Sequence, residues 1–200
     1  MQDPQSTPGN KCPLNYFGLT EYALLQPLEA AATYQRGREL EQAGMSGNFS
    51  PAHLRLIHRY LFQDVFPWAG EWRVVDISKG RSNFGRAVHI ASALGEALEK
   101  LNREKLLAGL APTAFAARAA FYLGEINAIH PFREGNGRTQ REFIRQLALH
   151  AAHPLSWSVV GTGFTQQQMT DASIASHTRG DNIQLAAIIE AALVSTRALG

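Results

Sequence analysis

HPFREGNGRTQR, residues 130–141, is the stretch on which the reading of this chain turns. An apolar helical pattern precedes it from Thr113 to Ile129, with Pro112 and Thr113 as the start signal. His130 stands before Pro131, and a residue before proline is disfavoured in the α region, so that helix is predicted to end there. A second helix is predicted from about Asn136, because Phe143, Ile144, Leu147 and Ala148 form an apolar stripe at helical spacing. Between the two lies Gly135-Asn136-Gly137, whose glycines let the chain bend tightly and let a ligand approach the main chain.

The loop feeds a helix N-terminus, where the first N–H groups lack intrahelical acceptors and the dipole favours negative charge. Arg138 and Arg141 follow on one face of the first turns. Cations at a helix N-terminus are unfavourable by themselves, so the pair asks for an anion: a phosphate, or two or three in a row. His130, at the edge of such a site, can take a proton from an incoming hydroxyl near neutral pH. Glu134 beside an oligophosphate can hold Mg²⁺, which takes carboxylate, water and phosphate oxygens. Phe132, apolar in a polar loop, reads as the loop's anchor in the core. Each element alone has a blander reading: a simple turn, a helix-terminal carboxylate, a structural histidine, a solvated pair of arginines. Their coincidence in one short stretch favours a site.

These residues resemble the signature of Fic domains, H-x-F-x-D/E-G-N-G-R-x-x-R, with every defining position filled. HLRLIHRYLFQDVFPWAGEWR, residues 53–73, also resembles the segment upstream of that motif, so the resemblance spans roughly residues 50–150. It implies an all-α fold: a single Fic-type helical bundle with a small β-hairpin flap beside the active-site loop. It further implies a protein adenylyltransferase, which transfers AMP from ATP to a hydroxyl side chain of a target protein. By the same resemblance His130 is the general base, Phe132 the hydrophobic anchor and Glu134 the Mg²⁺ ligand. Gly135, Asn136 and Gly137 form an anion hole for the α- and β-phosphates, Arg138 holds the β-phosphate and Arg141 the γ-phosphate.

Two hundred residues suit one domain with a sizeable core, and 45% hydrophobic with 18% charged residues is an ordinary globular composition. Residues 1–18 read as an irregular lead-in and 19–200 as a single domain. A formal charge of +2 argues for neither nucleic acid nor membrane binding. The single cysteine, Cys12, excludes an intramolecular disulfide and suits a reducing compartment. No apolar run approaches the roughly 20 residues of a membrane span. The N-terminus lacks a basic-then-apolar leader pattern, so the expectation is a cytoplasmic protein, bacterial by the resemblance.

Helices are also expected over Thr20–Gln42, from Pro51 with Ser50 as N-cap, over Ala91–Leu110, over Thr165–Ile174 and over Ile183–Leu199. His53 and His58 sit in the second of these, where histidines among apolar neighbours read as hydrogen-bonded core residues. Residues 73–90 are the β-like stretch: Val74, Val75 and Ile77 favour a strand, and Lys79 to Ser82 supply turn chemistry. In the family this position holds the flap, which aligns an extended target segment by strand addition. Lys79 and Phe84, on the flap, are the candidates for contacting target or nucleotide; the alternative is a surface hairpin with Phe84 tucked into the core.

Fic proteins of this kind are often silenced by a helix bearing S/T-x-x-x-E-G/N, whose glutamate pairs with the second motif arginine, here Arg141. Ser92 to Glu96 approaches that pattern, but Ala97 follows and the position is wrong. The expectation is therefore a toxin held inactive by a separate small antitoxin protein, with a secreted effector ranked second. The acceptor would be a Ser, Thr or Tyr hydroxyl, and a type II topoisomerase subunit is a target the resemblance suggests. Three alternatives stay open: transfer of another phosphate-containing group, a nucleotide-binding regulatory module without catalysis, and a zinc site from His130, Glu134, His150 and His153.

Overall fold

The computed structural model describes residues 3–79, 82–158 and 163–194. Among them are seven α-helices: α1 Tyr22–Ala43, α2 Pro51–Phe62, α3 Ile90–Arg103, α4 Pro112–Ile129, α5 Asn136–His150, α6 Gln166–Arg179 and α7 Ile183–Ala192. The all-α bundle is borne out. Helix α4 is its centre and packs against α3, α5, α6 and α7. Phe115, Ala116, Ala119, Ala120, Tyr122, Leu123 and Ile126 bury most of its surface, so it reads as apolar all round, as a core helix does. Gly124 lets the α6–α7 corner close on it: a Cβ there would stand 2.4 Å from Ser176 Oγ and 2.8 Å from Asn182 Oδ1.

The helix starts follow the chemistry of their caps. Ser50 Oγ accepts from the His53 N–H with Pro51 at the first position of α2. Thr165 and Gln168 form a reciprocal capping box on α6. Helix ends were less legible. Helix α6 runs past Ile174 to a left-handed Gly180, whose N–H returns to Ala175 and Ser176 carbonyls. Helix α3 stops at Arg103 instead of continuing to Leu110, and a short turn with left-handed residues, Lys105–Leu107, follows. Helix α7 ends at Ala192 because the next residues leave to bond elsewhere: Val194 N–H donates to Pro154 O and Ala192 O accepts from Ser156 N–H. Residues 195–200 of the expected longer helix lie outside the described residues.

The expected hairpin over residues 73–90 is not seen as such. Val74, Val75 and Ile77 are not in a strand; among the described residues Ser78–Lys79 pairs with Ser82–Asn83, and the Phe84 N–H reaches Ile77 O at 3.4 Å. Val75 O, which the next rung of a longer ladder would need, is taken by the buried Arg73, which also binds Gly85 O. Residues 3–20 hold no helix, yet they pack: Cys12 is buried, Trp68 Nε1 donates to Leu14 O, and Tyr16 N–H donates to Val65 O. No helix among the described residues is long and apolar enough to cross a membrane.

Candidate active site

Helix α4 ends on His130, which adopts a left-handed conformation (φ 48°, ψ 64°) instead of the extended one expected before proline. Its N–H still donates to Ile126 O, making it the helix's C-terminal cap. The imidazole Nδ1 lies 3.3 Å from Asn127 O. A carbonyl only accepts, so this contact puts the proton on Nδ1 and leaves Nε2 as the basic nitrogen.

The loop that follows is fixed from three sides. Asn136, the first residue of α5, clamps it: Oδ1 accepts from Phe132 N–H at 2.9 Å and Nδ2 donates to Phe132 O at 2.7 Å. The Asn136 side chain thus spends one N–H and its carbonyl oxygen on holding the loop. Phe132 is buried against Trp72 and stacks on His58, ring centroids 3.8 Å apart. His58 is fully buried and supports the loop as a neutral imidazole. Its Nδ1 accepts from Gly70 N–H at 2.8 Å and its Nε2 donates to Glu134 O at 3.0 Å. Burial pushes its pKa down to about 3 against the weaker opposing pull of the Glu134 carbonyl. Gly135 caps α5 with φ 80°, and a Cβ there would stand 2.3 Å from the Phe62 ring, so both conformation and space require glycine.

The third support is Arg73. Its guanidinium is fully buried, donates to His130 O at 2.8 Å, Val75 O at 2.7 Å and Ile129 O at 3.1 Å, and also binds Gly85 O. A cation suits the carbonyls at the C-terminus of α4. Arg73 thereby ties both ends of the flap segment to the histidine.

Arg138 and Arg141 stand on the first turns of α5. Arg138 binds Glu29 of α1 and donates to Thr33 Oγ1 at 2.9 Å, with its plane over Phe62 at 4.8 Å. Arg141 makes no ion pair among the described residues, and burial together with the charge of Arg138 pulls its pKa down. Such a guanidinium is stabilised by an anion. Glu134 is half-buried, and its Oε1 accepts from Gly135 N–H at 2.9 Å. It is a single carboxylate at the mouth of the Gly135–Gly137 turn, and Mg²⁺ at phosphate sites takes one or two carboxylates, so the residue fits such a cation.

These groups line one cleft of ≈ 730 Å³. One wall is His130, Glu134 to Arg138 and Arg141; the other is α6, through Gln166, Met169, Thr170, Ser173, Ile174 and His177. Phe84 closes an end, stacked on the His130 ring at 3.8 Å and tilted against His177 at 5.1 Å. Gln140 Nε2 and His177 Nδ1 are buried without a hydrogen-bond partner among the described residues, and both residues line the cleft. Lys79 is paired through its backbone with Ser82, and its side chain lies outside the described residues. His150 and His153 are elsewhere, against Phe49 and on Leu110 O respectively, so the four-residue zinc set does not assemble. Ser92 and Glu96 are exposed on α3, away from this cleft. The α6 wall, Arg73, Glu29 and Gln140 were missed in the sequence. Only the α6 wall left a signal there, a mixed stripe at i, i+3, i+7 and i+11 from Gln166 through Met169 and Ser173 to His177.

Residues 48–148 match the Fic/DOC family. The chain belongs to that family. Among relatives of this Fic/DOC chain, protein adenylyltransferase VbhT of Bartonella schoenbuchensis is 42% identical over 186 residues. That match covers 93% of this chain but only 38% of VbhT, so the chain spans well under half of that relative. Probable protein adenylyltransferase Fic of Salmonella typhimurium is 35% identical, covering 98% of this chain and 94% of that one. Among solved structures, the N-terminal Fic domain of a translocated Bartonella quintana effector, crystallised with ADP, superposes with a TM-score of 0.88. It is 26% identical and the match covers 98% of this chain and 96% of that one. The BepC protein of Bartonella tribocorum shares the fold, with TM-score 0.87 at 24% identity over 95% of this chain and 96% of that one.

Proposed function

We propose that this Fic/DOC chain is a protein adenylyltransferase that transfers AMP from ATP to a Ser, Thr or Tyr hydroxyl of another protein. The observation that carries the reading is the pair of arginines at the N-terminus of α5: Arg138 partnered by a carboxylate, Arg141 by none among the described residues. Beside them His130 has its Nδ1 engaged by a carbonyl. The names of the relatives and the ADP in the Bartonella quintana structure support the same reading.

In this account the acceptor hydroxyl attacks the α-phosphorus while His130 Nε2 takes its proton. The bond from the α-phosphorus to its bridging oxygen breaks and pyrophosphate leaves. The amides of Asn136 and Gly137, that of Gly135 once the Glu134 carboxylate releases it, and the arginines Arg138 and Arg141 hold the charge that builds on the phosphates. Glu134 would be the residue to hold Mg²⁺, which would supply further charge neutralisation at the phosphates. Phe132 and the Asn136 clamp keep the loop rigid, and Phe84 borders the path of the acceptor. Gln140 and His177 offer unpartnered polar atoms to the cleft.

The test separates binding from chemistry. His130→Ala should keep ADP affinity within about twofold and lose AMP transfer by at least about 100-fold, the usual scale of a general base. Arg141→Ala should weaken ATP relative to ADP. Transfer surviving in His130→Ala would contradict the assignment.

The open Arg141 also supports a regulator in trans: a small bacterial antitoxin offering the glutamate of an S/T-x-x-x-E-G/N helix, with a topoisomerase subunit in the same cytoplasm as a candidate target. Coexpression should yield a stoichiometric helical partner that suppresses transfer by the wild-type chain.

A further inference from the structure

We propose that Glu29, on α1, is a positioning residue of the phosphate site: together with Thr33 it holds the Arg138 guanidinium in the orientation that meets the second phosphate of the nucleotide. This rests on the reading of Arg138 as a phosphate ligand.

Glu29 and Thr33 are four apart on α1 and so share a face, and both are buried, Glu29 at 1% exposure and Thr33 at 4%. They engage the two terminal nitrogens of Arg138, Nη2 by Glu29 and Nη1 by Thr33. Phe62 supports the flat face of the guanidinium from α2. Three of its five N–H donors remain for an anion, and its side chain keeps 32% exposure on the cleft side. An arginine held this way from behind has little freedom left to lose when a phosphate arrives.

A purely structural role explains the carboxylate poorly. Helix α1 is already fastened by the buried Leu25 and Leu40 and by the Arg36–Asp64 ion pair to the end of α2. A buried ion pair is generally no more stabilising than well-packed apolar groups of the same volume. Burial indeed pushes the Glu29 carboxyl pKa up, with Arg138 opposing. Tyr22, two turns earlier on the same face at i−7, places its hydroxyl 3.5 Å from the second carboxylate oxygen, so Glu29 is itself held. The helix lies outside residues 48–148, the segment that matches the family, and the motif therefore depends on a residue the motif does not contain.

The test is calorimetric binding of ADP and AMP, with Mg²⁺, to the wild type, Glu29→Gln, Glu29→Ala, Thr33→Val, Arg138→Ala and the Glu29→Ala/Arg138→Ala double variant, each checked by thermal melting. AMP lacks the second phosphate and serves as the internal control. Loss of a hold on a charged donor should weaken ADP by about five- to tenfold in the Glu29 variants and about two- to threefold in Thr33→Val, leaving AMP within about twofold. The double variant should bind ADP no worse than Arg138→Ala alone. Equal losses for ADP and AMP, additive losses in the double variant, or ADP affinity unchanged or tighter in Glu29→Gln would each overturn the proposal while leaving Arg138 in place. If Arg138→Ala itself binds ADP normally, the phosphate reading beneath the proposal fails and both fall. Should Glu29→Ala fail to fold, Glu29→Gln and Thr33→Val decide.

Discussion

Arg73→Met removes the buried guanidinium that joins the flap segment to the end of α4. The side chain is wholly buried and serves four carbonyls, of Val75, Gly85, Ile129 and His130. Hydrogen bonds from a charged donor contribute about 1.5–3 kcal/mol each, so four would sum to roughly 6–12 kcal/mol. Two effects reduce this. The guanidinium no longer has to be desolvated, which is the cost that depresses its pKa in the folded chain, and some carbonyls will recruit water. The net loss should be about 3–5 kcal/mol, the usual result of removing one partner of a buried charged network. For a domain of this size each kcal/mol shifts the melting temperature by about 2–4 °C, giving a fall of roughly 6–20 °C. Arg73→Lys should recover only part of it, because an ammonium cannot reach four carbonyls with a planar fork. Differential scanning calorimetry at neutral pH reads the effect directly. AMP transfer measured well below the variant's melting temperature should also fall, since His130 O loses its donor. A melting temperature within about 2 °C of the wild type would refute the reasoning, because a buried network of this kind cannot be removed at so small a cost.

Other consequences concern the residues around the loop. His58 has a folded-state pKa of about 3 against an ordinary 6.5, so its stabilising contribution is complete above pH 6.5 and is lost as pH falls toward 3. Between pH 7 and pH 5 the wild type should therefore lose about 2 kcal/mol more than His58→Gln in urea unfolding, and parallel pH dependences would contradict this. Gly135→Ala meets both a left-handed backbone and the Phe62 ring; it should lower the melting temperature by several degrees and cut transfer at least about tenfold. Asn136→Asp replaces the donor to Phe132 O with a second acceptor and should cost about 1–3 kcal/mol, read by chemical denaturation. Unaltered stability there would mean the clamp is not formed in solution.

The site loop was legible because its chemistry is local. A histidine before proline, two glycines and two arginines at a helix start carry their meaning within residues 130–141. Helix starts were legible for the same reason, through Ser50 with Pro51 and Thr165 with Gln168. What the sequence did not yield is long-range. Val74 and Val75 have strand propensity, but Arg73 captures the neighbouring carbonyls, a contact that exists only once residues 73, 85 and 129–130 have met. Leu193 and Val194 continue an apolar helical pattern, yet bonding to residues 154–156 ends the helix. Glu29 lies more than one hundred positions from Arg138, and in sequence it is one more glutamate on a polar helix. His58 is an intermediate case. Its apolar neighbours marked it as a core histidine, while its two partners, Gly70 N–H and the Glu134 carbonyl, needed the fold.

The measurement that bears most directly on the central claim uses the purified chain, Mg²⁺ and a bacterial lysate, with ATP labelled at the α-phosphate in one reaction and at the γ-phosphate in another, and His130→Ala beside each. The account predicts label in a protein band from the α-labelled reaction alone, absent in the variant. Label from the γ-labelled reaction alone would contradict it, because the group moved would then be phosphate and the nucleotide would have to lie the other way round in the cleft.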